Sequence, residues 1–393
     1  MTCKKMTGKK TIAISMRVAG IKCATALAAG MLLLGVAWGQ DSTPSGAAST
    51  PNSMPKRAAD GDNETLRQYA DKMDFGVGVF IQPRYWKLDP RHQQIMGREF
   101  NRAVTFPEKI QVQRGRYDFE LMDEEMRFAK QHNMKLFGAG LLYRNNASPE
   151  WMHFEKNCGG WSEREMDEII KDDITTIVRH GGDMYYAWEV VNEPVSMGHN
   201  GCFTFLFGGY EHGGQDKMIA KASQYAHEAN PNVAILLNDT FGQEGLDKGK
   251  VDDFFSLIKR VRALGGHIDA VGTEMHLEAQ RLRPTYVDEF QYFLDQARKN
   301  NLQAQVTEMD VYQGPAGAFQ DPYENQKQIF YNIAHACLKD SNCTTFTVWG
   351  LYDEATWLRG AKGLTDANPV LFDSNYKKKP AYYGVLEALK DGR

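Results

Sequence analysis

Two strand-like stretches of the chain each end in a carboxylate. In the first, YYAWEVVNEP, aromatic and β-branched residues suited to a buried strand lead directly to Asn192 and Glu193. Pro194 has no backbone N–H to donate, so we expect this strand to end there. The second, QAQVTEMD, ends in the same way at Glu308 and Asp310. A lone acid at a strand end often only caps a loop, whereas a pair can divide the acid and nucleophile roles in glycosidic bond cleavage.

Eight strand-like runs alternate with amphipathic helical stretches from about residue 73 onward. They are Phe75–Ile81, Glu99–Thr105, Lys135–Leu142, Met184–Asn192, Val233–Asn238, Ala270–His276, Gln303–Asp310 and Thr344–Leu351. This alternation predicts an α/β fold, a single (β/α)8 TIM barrel, with the active residues at the C-terminal strand ends. The alternative is an open doubly wound sheet, but the sequence lacks the Gly-rich phosphate loop expected after an early strand of such a sheet.

Two helix starts are marked by their capping residues. Ser162 and Glu165 have the spacing of a capping box, and the apolar residues that follow repeat at helical spacing. Asp321 followed by Pro322 places an acid at the cap and a proline in the first turn. Both patterns predict helices between strands.

The amino end has the features of an export signal. It combines six Lys and Arg residues with a short apolar run, and Ala37 and Gly39 are small residues of the kind that precede signal cleavage, here before Gln40. A retained membrane anchor is the alternative, although the apolar run is short for a span. We expect a protein secreted to the extracellular space or periplasm, without membrane contact after cleavage. Its parts would be a signal peptide at 1–39, a flexible Ser/Pro/Ala-rich linker at 40–70 and the catalytic barrel at 71–393.

Charge and composition narrow the classes of partner. The formal charge of −4 becomes −10 once the six basic residues of the leader are removed, and no basic stripe remains for nucleic acid. With 42% hydrophobic and 24% charged residues, the composition is that of an ordinary globular protein. We expect a monomer that uses no cofactor and no metal.

Four cysteines remain after the leader, an even number that favours disulfides in an exported chain. Cys337 and Cys343 are near in sequence and are expected to pair. Cys158 and Cys202 then pair by elimination and would tie the loops that follow two successive strands. A metal site built from these four residues is the weaker alternative, because no Cys-x-x-Cys spacing occurs.

Several motifs of the chain stand in the order found in one enzyme family. They are WEVVNE ending at Glu193, AILLND ending at Asp239, VTEMDV around Glu308, TVWG ending at Gly350, and LFD followed by KPAY near the carboxyl end. From about Phe75 to Leu389 the chain resembles glycoside hydrolase family 10, the secreted endo-β-1,4-xylanases. Many members of that family carry a disulfide with the Cys337–Cys343 spacing just before strand eight.

The resemblance implies a double displacement by two carboxyls about 5 Å apart, with retained configuration. Glu193 would be the acid/base and Glu308 the nucleophile. Asn192 would donate to the sugar 2-hydroxyl, while His276 and Asp310 would orient the nucleophile.

Two tryptophans complete the implied site. Trp349 and Trp357 would form the apolar wall against which a sugar face packs. A tryptophan is more often a core residue, and a lone histidine such as His276 is more often structural. The matching motifs favour the functional interpretation for all three.

The chain departs from the family pattern where the sugar on the non-reducing side would bind. The Glu-Asn-x-x-Lys pattern after strand two is replaced by FPEK, which leaves Lys109 as the candidate contact. After strand three, GAGLLYR replaces Gly-His-Thr-Leu-x-Trp-His, so Ala139 and Arg144 stand where the family has histidines. Tyr143 and Asn146 are further candidates for contacting substrate.

On strand six, Glu274 occupies the position of the family's usual glutamine beside the acid/base. A third carboxyl next to Glu193 and Glu308 cannot ionise freely. We expect it either to pair with a cation such as Arg144 or to share a proton with Glu193. Arg144 has its own alternative, because its guanidinium can bind a uronate group bidentately.

The sequence therefore predicts an enzyme, a secreted retaining glycoside hydrolase that resembles an endo-β-1,4-xylanase and cleaves β-1,4 linkages of a plant polysaccharide or its oligosaccharides. One alternative is the same mechanism on an acidic or branched sugar. Another is a barrel that binds carbohydrate without cleaving it. The joint presence of the candidate catalytic and supporting side chains argues against the last.

Overall fold

The computed structural model describes residues 63–107, 109–142, 151, 160–196, 213–315 and 317–393. Within these residues, eight parallel strands form the wall of a barrel. The strands are β1 (Gly76–Phe80), β2 (Arg102–Thr105), β3 (Lys135–Gly138), β4 (Tyr185–Asn192), β5 (Ala234–Asp239), β6 (Ala270–Thr273), β7 (Gln303–Tyr312) and β8 (Cys343–Val348).

Hydrogen bonding closes the sheet into a ring. Each strand pairs in parallel with the next, and β8 returns to pair with β1, where Gly76 lies opposite Thr345. An open sheet would leave two unpaired edges, so this closure confirms the TIM barrel and excludes the doubly wound alternative.

The described helices surround the strands in chain order. They are α1 (Leu66–Ala70), α2 (Pro83–Trp86), α3 (Pro90–Glu99), α4 (Glu120–Gln131), α5 (Glu163–Gly181), α6 (Gly214–Ala229), α7 (Lys248–Ala263), α8 (Tyr286–Lys299), α9 (Pro322–Lys339), α10 (Trp357–Lys362) and α11 (Pro380–Asp391). None of them combines the length and apolar character that a membrane crossing needs.

Both predicted helix starts are confirmed. At α5, the Ser162 hydroxyl accepts from the Glu165 N–H at 3.3 Å, while the Glu165 carboxylate accepts from the Ser162 N–H at 3.0 Å. At α9, the Asp321 carboxylate accepts from the Glu324 N–H at 3.0 Å. These bonds satisfy amides that have no partner within the helix.

The folded part of the chain begins before the boundary expected at residue 71. Helix α1 lies inside the segment assigned to the linker, and its Leu66 and Ala70 are fully buried. The Leu66 N–H also donates to the buried Glu99 carboxylate at 3.3 Å. Apolar contact and this hydrogen bond hold the helix against the barrel, which composition alone did not indicate.

Four strands end earlier than the sequence suggested, among them β1 at Phe80 rather than Ile81 and β8 at Val348 rather than Leu351. β3 ends at Gly138 rather than Leu142, and β6 ends at Thr273 rather than His276. After β6, Met275 takes a φ of 57°, in the left-handed region that interrupts a strand. The chain then resumes as a short strand, in which His276 lies opposite Asp310 of β7. This break sets the position of the histidine.

Apolar side chains form one large cluster between barrel and helices and a second, smaller one. The second cluster draws one residue from each of the neighbouring strands β2 to β6 and two residues that follow strands, as expected for side chains that point into a barrel. Its members are Val104, Phe137, Ala139, Ala187, Leu236, Ala270 and Trp349. The barrel is therefore a packed core with its functional groups at one end.

A disulfide joins Cys337 of α9 to Cys343 at the start of β8, with Cα atoms 5.2 Å apart. This pairing is the one expected from the sequence and is confirmed. The second expected pair, Cys158 and Cys202, lies outside the described residues.

Candidate active site

The candidate site lies at the C-terminal ends of β4 to β8. Glu193 follows β4, Glu274 follows β6 and Glu308 is within the outer part of β7. Three of these strands therefore bring together carboxyls that are far apart in sequence. Trp349 follows β8 and adds an aromatic ring to the same end of the barrel.

Glu308 is held by two side chains. Its Oε1 accepts from the Nδ2 of Asn238 at 2.9 Å, and its Oε2 lies 3.2 Å from the Nε2 of His276. The residue is only 6% exposed. A buried carboxylate with both oxygens hydrogen-bonded has a fixed orientation, as a nucleophile needs.

The His276 ring lies between two carboxylates, one facing each ring nitrogen. Its Nδ1 is 3.0 Å from Asp310 Oδ1, and its Nε2 faces Glu308. Burial opposes a charge on this ring, but the carboxylates of Asp310 and Glu308 outweigh it and raise the pKa of His276 to about 10. The imidazolium therefore donates to both acids, which is the orienting position expected from the sequence.

Glu193 occupies a strained position at the tip of β4. Its φ is 46°, a left-handed conformation that is costly for a residue with a Cβ, and its N–H donates to the Asn238 carbonyl at 3.0 Å. The next turn is fixed by Asp239, whose carboxylate accepts from the N–H groups of Val195 at 2.7 Å and Ser196 at 3.3 Å. These bonds turn the chain sharply after the strand.

Asn238 is a site residue that the sequence interpretation missed. Besides Glu308, its Nδ2 approaches Glu274 Oε1 at 3.3 Å and Asn192 Oδ1 at 3.4 Å, so one amide connects three candidate site residues. The Thr307 hydroxyl donates to its Oδ1 at 2.7 Å and fixes the amide orientation. In sequence this residue was only one letter of a motif at a strand end.

Gly272 makes room for that amide. A Cβ at this position would lie 2.4 Å from Asn238 Oδ1 and 2.7 Å from Thr307 Cγ2. No side chain fits in that space, so glycine on β6 allows Asn238 to reach the carboxyls.

Glu274 joins the cluster as a third buried carboxyl, 3% exposed. Its Oε2 lies 3.7 Å from His276 Nε2. Burial, followed by the charges of Glu308 and Glu193, raises the pKa of Glu274 well above its usual range. Arg144, the expected cationic partner, lies outside the described residues.

Glu189 is a fourth carboxyl that the sequence interpretation passed over. It is 1% exposed, and neither carboxylate oxygen has a hydrogen-bond partner of good geometry among the described residues. Burial and the nearby charges of Glu308 and Glu193 raise its pKa well above the usual range. In the sequence Glu189 stands among apolar residues of the WEVVNE motif, where nothing marks it as a separate site residue.

The two tryptophans lie beside this cluster. Trp349 stacks on Phe80 with ring centroids 4.3 Å apart, and it is 8% exposed. Trp357 is half-buried, and its ring centroid lies 4.9 Å from that of His276. Its Nε1 donates to Asp310 Oδ2 at 2.6 Å. Trp357 thus orders the histidine's partner as well as adding apolar surface.

The remaining candidate contacts are less closely tied to the cluster. Lys109 lines a cavity of about 300 Å³, and another residue of that cavity, Phe106, meets Trp349 edge-on at 5.9 Å. Tyr143, Arg144 and Asn146 lie outside the described residues.

The arrangement combines a buried carboxylate on β7 held by two hydrogen bonds, a second acid at the tip of β4, and further carboxyls whose pKa values are raised. Such a set provides both an ionised and a protonated acid near neutral pH. It suits reactions in which one group attacks while another transfers a proton.

Comparison with known proteins agrees with this chemistry. The model of the family described as Glycosyl hydrolase family 10 matches residues 65–388. Endo-1,4-beta-xylanase B of Thermotoga neapolitana is 28% identical, over 83% of this chain and 92% of that protein.

Among solved structures, native xylanase 10B of Thermotoga maritima superposes with a TM-score of 0.73 at 26% identity, covering 84% of this chain and 98% of that chain. Xylanase 10B of Thermotoga petrophila RKU-1 in complex with xylobiose gives 0.73 at 27% identity with the same coverage. The chain belongs to glycosyl hydrolase family 10 and is a retaining O-glycoside hydrolase.

Proposed function

We propose that this protein is an endo-β-1,4-xylanase in which Glu308 is the nucleophile and Glu193 the acid/base. The observation that carries the proposal is the placement of Glu308, which is buried and hydrogen-bonded by Asn238 and His276 at the C-terminal end of the barrel. The xylanases to which the chain is similar supply the substrate class.

In the first step, Glu308 attacks the anomeric carbon while Glu193 protonates the oxygen of the leaving sugar. The C–O bond to the leaving group breaks as the glycosyl ester forms on Glu308. His276 orients the attacking carboxylate through the contact between its Nε2 and Glu308 Oε2.

In the second step, Glu193 takes a proton from water, and the resulting hydroxide oxygen displaces Glu308 from the anomeric carbon. Two inversions give net retention of configuration. Asn192, at the end of β4, would donate to the sugar 2-hydroxyl, and Trp349 with Trp357 would form an apolar wall for the ring.

The substrate assignment is tested by incubating the purified protein with xylan, glucuronoxylan, arabinoxylan, cellulose and mannan, and following reducing ends and product lengths. We expect xylan to be cut internally, so that viscosity falls before xylose or xylobiose accumulates. Activity confined to the acidic or branched xylans would favour the alternative glycone. Binding without new reducing ends would contradict hydrolysis altogether.

Glu274 gives the site a distinct pH dependence. Because Glu274 and Glu193 repel each other when both are ionised, removing one carboxyl lowers the pKa of the other. We therefore expect Glu274→Gln to move the upper apparent pKa of kcat/KM downward by about one unit. A pH–rate series on a soluble xylo-oligosaccharide measures it, and an unchanged or raised upper limb would contradict proton sharing.

A further inference from the structure

Three potential metal ligands converge on one point of the site. His276 Nε2 lies 3.2 Å from Glu308 Oε2 and 3.7 Å from Glu274 Oε2. One ligand atom from each residue lies within 4.8 Å of the other two. Among the described residues, this is the one group of three or more such side chains with that convergence.

We propose that Glu274, His276 and Glu308 form a binding site for a divalent transition-metal ion, Zn²⁺ foremost, and that the bound ion blocks the catalytic centre. Binding requires no turnover, so this inference goes beyond the proposed function.

The distances match zinc coordination. Zn²⁺ binds histidine nitrogen and carboxylate oxygen at about 2.0–2.2 Å, and tetrahedral bonds of that length separate neighbouring ligand atoms by roughly 3.3 Å. The two distances from His276 Nε2 bracket this separation. The ligand atoms of Glu274 and Glu308 lie within 4.8 Å of each other, so they would move closer together on binding. The ion would replace the proton on Nε2 and leave a fourth position for water.

The second nitrogen of His276 is already held in the required way. Its Nδ1 contacts Asp310 Oδ1 at 3.0 Å, and Asp310 in turn accepts from Trp357 Nε1. A carboxylate on the far nitrogen fixes the ring orientation and increases the basicity of the ligating nitrogen in metal sites.

The surrounding acids favour a cation at this point. Glu189, 1% exposed and without a hydrogen-bond partner of good geometry among the described residues, adds a fourth buried carboxyl to the cluster. Buried carboxyls either stay neutral or take a positive partner, and an ion bound by Glu274 and Glu308 would be such a partner.

Occupation would inhibit the enzyme directly. With Oε2 bound to the ion, Glu308 loses the electron pair and the freedom of approach needed for attack on the anomeric carbon. Inhibition would therefore be competitive with substrate and reversed by chelation.

The test is calorimetric titration of the full protein with ZnCl₂ after dialysis against chelator. We expect one saturable site in the wild type, and at least about 10-fold weaker binding in both Glu274→Gln and Glu308→Gln. Two variants are used so that a folding defect in one, detected by circular dichroism, still leaves the other informative.

The matched control is His180→Gln, which removes a histidine whose Nε2 lies 2.7 Å from Asp123 on the protein surface. This variant should bind Zn²⁺ like the wild type. The proposal is overturned if the wild type shows no saturable site, if both Gln variants bind as tightly as the wild type, or if His180→Gln loses binding equally. Zinc binding by a protein without xylanase activity would leave the metal site standing and remove its inhibitory role, and activity without a zinc site would remove this inference alone.

Discussion

Replacing Glu308 by alanine is expected to abolish xylan hydrolysis, with a loss on the order of 10⁵-fold in kcat. The variant lacks the atom that forms the glycosyl intermediate. Removing the carboxyl also leaves a small cavity on the face of the anomeric carbon opposite the leaving group. Azide can diffuse into that cavity. Added azide should restore turnover of an activated aryl xyloside and give a glycosyl azide of inverted configuration, because one displacement then replaces two.

The matched control is Glu387→Ala, which removes an exposed glutamate of α11 that pairs with Lys327 far from the carboxyl cluster in the fold. It should retain wild-type rates. If Glu308→Ala kept near-normal rates on xylan, or if azide gave a product of retained configuration, Glu308 would not be the nucleophile.

Replacing Glu193 by alanine should have the second-largest effect, but one that depends on the substrate. Xylan requires protonation of a poor leaving group, so its turnover should fall by about 10³-fold or more. An aryl xyloside with a good leaving group needs no such proton, and it should still form the intermediate on Glu308 rapidly.

The measurement compares the rate at which the glycosyl-enzyme intermediate forms with the rate at which it is hydrolysed. Stopped-flow release of the phenol should show a burst in Glu193→Ala followed by slow turnover, because deglycosylation has lost its base. Equal losses on both substrates without a burst would contradict the assignment of Glu193 as the acid/base.

The barrel was predictable because its signals are local and repeated. The apolar letters of β4, the capping box at Ser162 and the Asp321-Pro322 start each act over a few residues, and their order leaves one parallel architecture. The site carboxyls were predictable for the same reason, since Glu193 and Glu308 each end a strand-like run. The pairing of Cys337 with Cys343 followed from their closeness in sequence.

Other features depend on contacts between distant strands, which a single sequence does not display. Asn238 acquires its importance from Glu308 and Thr307 on β7, and from the space left by Gly272 on β6. Glu189 is unusual only because it is buried among other acids. Met275 takes a left-handed conformation that sets His276 opposite Asp310. That conformation was not predictable, because the position is neither glycine nor next to a glycine or proline.

The central claim is that Glu308 becomes covalently attached to the sugar. The test is incubation with a dinitrophenyl 2-deoxy-2-fluoro-xylobioside. The fluorine slows both chemical steps, but the good leaving group lets the first step proceed, so the glycosyl-enzyme intermediate accumulates. Mass spectrometry of the intact protein should then show one added fluoroxylobiosyl group, and peptide mapping should place it on Glu308. Attachment to another carboxyl, or steady release of product with no labelled protein, would contradict the account.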